Sequence, residues 1–177
     1  MSSTTPTPVP QPPSEDVLEV QVERAEKILD RLLEWIRAVD AKTPVVMAID
    51  TAMLGALAAI APSPEKLCIT TWLWIAFGSA ALIVSLGLCA KATFPQTKGP
   101  EGSLIFFGGI ASRSADAFGQ AMRELTKTRY LDDLLSQCHR NAEIAGNKFA
   151  CVRKALFWLI AGIAPWLVAL YILARAS

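Results

Sequence analysis

Soft donors and nucleophiles are scarce in this chain: it has one histidine, His139, and four cysteines, Cys68, Cys89, Cys138 and Cys151, no two of them at C-x-x-C spacing. No Asp, Glu or Cys series surrounds His139 at ligand spacing, which argues against a metal centre. Cys68 and Cys89 fall in apolar runs and the other two in segments expected to face a reducing cytoplasm, so free thiols are expected. A glycine-rich phosphate loop, a G-x-S-x-G elbow and a solenoid-length repeat are all missing, and with them the usual marks of phosphoryl transfer, acyl transfer and repeat scaffolds. The expectation is a protein with no catalytic residues, no cofactor, no metal and no nucleic-acid partner.

Charge is also missing over long stretches. Leu67 to Ala90 (24 residues) and Leu156 to Ala174 (19 residues) carry none, and the 19 residues from Pro44 to Pro62 carry only Asp50. About 20 residues of helix, rising about 1.5 Å each, cross a hydrocarbon core about 30 Å thick. The alternative is a soluble bundle, but a domain this small seldom sheathes three helices that are apolar on every face. The chain therefore reads as an all-α membrane protein with three transmembrane helices and cytoplasmic amphipathic helices. The first 14 residues hold five of the eleven prolines and little apolar bulk, which predicts a disordered tail; lacking a basic start and an apolar core, they are no signal peptide. The expected segments are this tail (1–14), an amphipathic helix (15–43), a two-helix transmembrane hairpin (44–90), a helical region (91–154) and a third span with a short end (155–177).

The net charge of +1 says little, but its distribution orients the chain. Residues 91–154 hold ten Lys or Arg and residues 1–43 hold five, whereas the short "SPEK" link between the first two spans carries only Lys66. Positive charge stays cytoplasmic, which predicts that the N-terminus and the long middle segment lie inside and the short C-terminus outside. Trp72, Trp74, Trp158 and Tyr171 near span ends fit interfacial belts.

The water-exposed parts carry helical periodicity. Leu18, Val22, Ala25, Leu29, Leu32, Ile36 and Val39 form a heptad seam, and Ser14, Glu15 and Asp16 suit a helix start. A second seam is expected along Leu131, Leu134, Cys138, Ala142, Ala145, Phe149, Val152 and Leu156, and a weaker amphipathic stretch from Ser114 to Arg129. The seams either pack on each other within one subunit or pair between subunits.

"LLEWIRAVDAKT" entering the first span, "FFGGIA" after the second, and "YLDDLLSQCHRNAEIAGNKFACVRKALFWLIAG" entering the third together resemble the transmembrane effector family of Pycsar, the bacterial pyrimidine cyclase antiphage system. Trp35, Asp40 and Lys42, the Phe107 and Gly108 pair, and the Gln137, Asn141, Lys148 series fall in the family's order around the spans. The resemblance covers nearly everything from Leu32 onward. It implies a partner cyclase that makes cyclic CMP or cyclic UMP on infection, and an effector that sits in the bacterial inner membrane with its C-terminus periplasmic and responds by impairing that membrane and ending the cell. The Pro-rich tail and first heptads have no counterpart in that pattern.

Polar groups on helices are the candidate ligand contacts. Gln137, Asn141 and Lys148 lie within about 40° of one another on a helix, a stripe suited to a base edge and a phosphate, or simply a solvated face. Arg31, Trp35 and Lys42 share a face of the first helix, where Trp35 is either a stacking platform or a packing anchor. A cleft between the two helices is the expected nucleotide site. Asp50, six residues past Pro44, either reaches water and neighbouring hydroxyls or faces an oligomer interior and lines a path through the membrane. A homo-oligomer is expected, because three helices cannot enclose a wide path. The competing function classes are a membrane scaffold and a small ion-coupled transporter.

Overall fold

The computed structural model describes residues 14–60 and 68–176, and every regular element among them is an α-helix. The elements are α1 (Glu15–Ile60), α2 (Ile69–Thr93), α3 (Phe107–Ala111), α4 (Ala115–Arg123) and α5 (Lys127–Ala176). The proline-rich tail up to residue 13 and the "SPEK" link lie outside the described residues. Three helices, α1, α2 and α5, are long and apolar enough to cross a membrane, and the chain is a membrane protein.

The helices run through the points where the sequence suggested boundaries. The start of α1 has Glu15 and Asp16 against its dipole, and the Leu18 amide donates to the Ser14 carbonyl at 3.1 Å. The helix then continues for 46 residues with Pro44 inside it, so the expected break at residues 43/44 is absent. Pro44 has no amide to offer the Asp40 carbonyl, and buried Thr43 turns its hydroxyl back onto the Val39 carbonyl at 2.9 Å. Helix α5 likewise passes the expected 154/155 boundary and holds Pro165 inside its 50 residues. At about 1.5 Å per residue, α1 and α5 are each about 70 Å long, roughly twice the hydrocarbon thickness, so each carries both a span and a water-exposed extension.

The chain folds as two compact units, one comprising the described residues up to Asp30 and Lys98–Arg140, the other Arg31–Thr97 and the chain from Asn141 onward. In the first, Leu18, Ala25, Leu131 and Leu134 form a core with Val22, Leu29, Ile105 and Tyr130 packed against it. The Cys138 thiol donates to the Ala25 carbonyl at 3.4 Å, and the Tyr130 hydroxyl to Glu26 Oε1 at 2.9 Å. Within the FFGGIA segment, Phe107–Ala111 forms the short helix α3. It is held against a loop whose Ser103 Oγ accepts from the Ile105 and Phe106 amides at 3.1 and 2.9 Å. Gly109 has to be glycine, since a Cβ there would lie 2.2 Å from the Ser103 carbonyl oxygen. Helix α4 occupies the first part of the expected 114–129 stretch, whose end already belongs to α5, and is capped by Ser114, whose hydroxyl accepts from the Ala117 amide at 3.2 Å.

In the second unit the remainder of α1 and α5 pack with α2. Val46, Leu82, Cys89, Ala155 and Leu159 form one core cluster, with Leu57, Ala169 and Leu173 in another. Small residues allow the close approach that lipid-embedded helices need: a Cβ on Gly78 would lie 3.2 Å from the Trp166 backbone nitrogen, and one on Gly162 3.3 Å from the Ala81 methyl. The Trp166 indole donates to the Met53 carbonyl at 2.8 Å. Leu73, Phe77, Phe157, Ile160 and Leu167 remain exposed, as expected of side chains that meet lipid.

The α1 seam is used within the chain and is longer than expected. Leu18, Ala25, Leu32, Val39 and Val46 are buried at strict seven-residue intervals, and so are Thr43, Asp50 and Leu57. On α5 the expected seam holds at Leu131, Leu134, Cys138, Ala145 and Val152, but Ala142, Phe149 and Leu156 are exposed. The companion line instead runs through Leu134, half-buried Asn141, Lys148 and Ala155. Hydrophobicity pointed one residue too far because polar side chains occupy the inward heptad positions.

Candidate functional site

The polar residues of the seam are the first element of the site. Lys148 is 9% exposed, and its ammonium meets Asp40 Oδ1 at 2.5 Å. The sequence placed Lys148 on a polar stripe apart from the apolar seam; the structure places it in the seam, facing α1. The pair is asymmetric, since the lysine side chain is 11% exposed and the aspartate 44%. Such a pair keeps one charge buried and the other wet, so the lysine depends on its partner more than the reverse.

The other expected ligand residues are distributed differently. Gln137 is buried in the first compact unit, where its amide donates to Ser103 Oγ at 3.0 Å. Asn141 is half-buried and already engaged. Arg31 and Lys42 are exposed on α1, and Trp35 is half-exposed at 51%, which leaves its indole a face for a ligand or for lipid. Lys148 reaches α1 at Asp40.

Asp50 is the second element. It is fully buried, and its Oδ2 accepts from the hydroxyl of Ser85, itself fully buried on α2, at 2.8 Å. Oδ1 has no partner. Neither Thr43 nor Thr51 supplies one, because each hydroxyl donates to a carbonyl of its own helix. An unpartnered carboxyl oxygen in a spanning helix is costly to the fold.

A cleft of about 340 Å³ forms the third element, and no motif pointed to it. It lies where the apolar run of α2 ends and that of α5 begins, lined among others by Lys91, Gln96, Asn147, Lys148 and Lys154. Two of its lysines sit next to uncharged runs in the sequence, at Ala90–Lys91 and Lys154–Ala155, and that flanking position was the available signal.

Comparisons with known proteins bear on these features. The family model described as the Pycsar effector protein domain matches residues 24–175. Two curated relatives are Pycsar effector proteins: one from Gulbenkiania mobilis, 27% identical over 176 residues that cover 82% of this chain and 89% of the relative, and one from Propioniciclava tarda, 27% identical over 171 residues that cover 91% and 81%. No solved structure matches. Because the matched region takes in most of the chain and every element after the opening turns of α1, the chain belongs to the Pycsar family of antiphage effectors.

Proposed function

We propose that a cyclic pyrimidine nucleotide, cyclic CMP or cyclic UMP made by a partner pyrimidine cyclase, switches this effector on, and that the activated protein impairs the inner membrane and ends the infected cell before phage matures. The observation that carries this reading is the family match over residues 24–175 on a chain with three spanning helices, rather than any catalytic constellation. The protein acts as the responder of the system and the cyclase as its partner. The positive charge of residues 1–43 and 91–154 supports a cytoplasmic N-terminus and a periplasmic C-terminus, which puts the ligand-facing regions where a cyclase product is made. The three spanning helices of one subunit pack on one another through apolar clusters, so impairment calls for several copies and for a repacking in which Asp50, held against Ser85 of its own chain in the resting fold, turns to line the path. The scaffold reading loses support because the α1 seam is already covered by its own chain.

The test is leakage from proteoliposomes that hold the full-length protein and a trapped dye. Cyclic CMP or cyclic UMP should trigger release, and cyclic AMP should not. Silence with both pyrimidine nucleotides, from protein shown to be inserted, would overturn the reading.

A further inference from the structure

The cleft beside α2 and α5 holds three lysines and no acid. Lys91 stands in the last turn of α2, while Asn147, Lys148 and Lys154 lie in the turns of α5 that precede its apolar run. Among the described residues, Asp40 engages Lys148, whereas Lys91 and Lys154 have no acidic partner. Asp40 already balances Lys148, which leaves the cleft with two uncompensated cations, Lys91 and Lys154, beside apolar wall residues that weaken screening, so the arrangement favours an anion there. We propose that this cleft is a binding site for a phosphodiester monoanion.

Three observations select that chemistry. The cleft's volume of about 340 Å³ is at the lower end of the ~300–1,000 Å³ typical of small-ligand sites, which suits one phosphate and its substituents. Asn147 and Gln96 add amide donors and acceptors beside the charges, which a bare anion would leave idle. The site also sits at the membrane–water boundary, where two phosphodiesters meet it: the headgroup of an anionic phospholipid and a soluble cyclic mononucleotide. Only the second source rests on the function proposed above. In either case Lys148 links occupancy to α1, because an anion in the cleft competes with Asp40 for one buried ammonium.

The test uses the full-length protein in a phosphate-free maltoside detergent. Cyclic CMP and cyclic UMP are titrated by calorimetry, and binding of phosphatidylglycerol is read by native mass spectrometry. The Lys91→Gln/Lys154→Gln variant should weaken binding of one source by about tenfold or more, as expected from losing two charge-assisted bonds. The Lys91→Arg/Lys154→Arg variant should retain binding, as should Lys98→Gln, which lies outside the cleft. Weakened nucleotide binding assigns the cleft to the activating ligand; weakened lipid binding alone assigns it to the headgroup. Either outcome supports the proposal. It is overturned if wild type binds neither probe, or if the glutamine variant keeps its helicity and binds both as tightly as wild type. Nucleotide-triggered leakage that persists in that variant would leave the proposed function standing while this inference fails.

Discussion

Lys148 of α5 and Asp40 of α1 meet at 2.5 Å, with the lysine buried and the aspartate about half in water. Removing the wet partner strands the buried charge, so Asp40→Asn should destabilise the protein by about 1–3 kcal/mol in detergent unfolding. Lys148→Met should cost less, and the double variant should recover part of the Asp40→Asn loss. An additive double variant would show that the two side chains do not depend on each other.

Asp50 makes the opposite trade. Asp50→Leu removes a carboxyl group whose Oδ1 has no partner among the described residues, and the Ser85 hydroxyl it releases can turn onto a carbonyl of its own helix, so the folded protein should be unharmed or more stable, by about 1 kcal/mol. The same substitution should abolish ligand-triggered leakage. Leakage that proceeds at the wild-type rate would remove Asp50 from the path.

Gly78 and Gly55 give a paired steric prediction. A Cβ at Gly78 would press on the Trp166 backbone, whereas one at Gly55 meets nothing within 4 Å. Gly78→Val should cost about 1–3 kcal/mol by forcing α2 away from α5, while Gly55→Ala should be neutral or slightly stabilising through helix propensity. Thermal unfolding of the two variants side by side measures the contrast.

Tyr130 gives the chain an alkaline limit. Burial, and then the Glu26 carboxylate that accepts its hydroxyl proton, raise the phenol above its ordinary value of 10. The folded state therefore holds this proton more tightly than the unfolded chain does. Its contribution is fully present below about pH 10 and is lost as pH climbs from there through the raised value. Tyr130→Phe should be less stable than wild type at neutral pH, and the gap should close in alkali; a gap that stays constant would exclude the linkage.

The three spans were legible because length and missing charge identify them whatever they pack against. The α1 seam was legible as far as Val39 because its inward residues are apolar; beyond that, Thr43 and Asp50 keep the heptad spacing but break its hydrophobic signal. On α5 the polar Asn141 and Lys148 hid the inward line, and apolar Ala142 and Phe149 drew the reading outward. Pro44 read as a boundary because proline disfavours helix interiors, yet packing along the seam carries α1 past it. Ser85 was findable: it precedes Ala90 at the end of its span by five residues, as Asp50 follows Pro44 by six, so the two lie at similar depth if those ends face the same side. The cleft was not, because it depends on which two helix ends become neighbours.

The Asp40–Lys148 pair also bears on how the helices find their alignment. A seam that repeats every seven residues looks nearly the same to its partner after a slip of one repeat, about 10.5 Å along the axis. Apolar burial alone would tolerate that slip. Moved by seven residues, Lys148 would face Leu33 or Met47 in place of Asp40, leaving a bare ammonium against hydrocarbon. The pair therefore works as an index mark that lets only one of several near-equivalent alignments close during assembly in the bilayer.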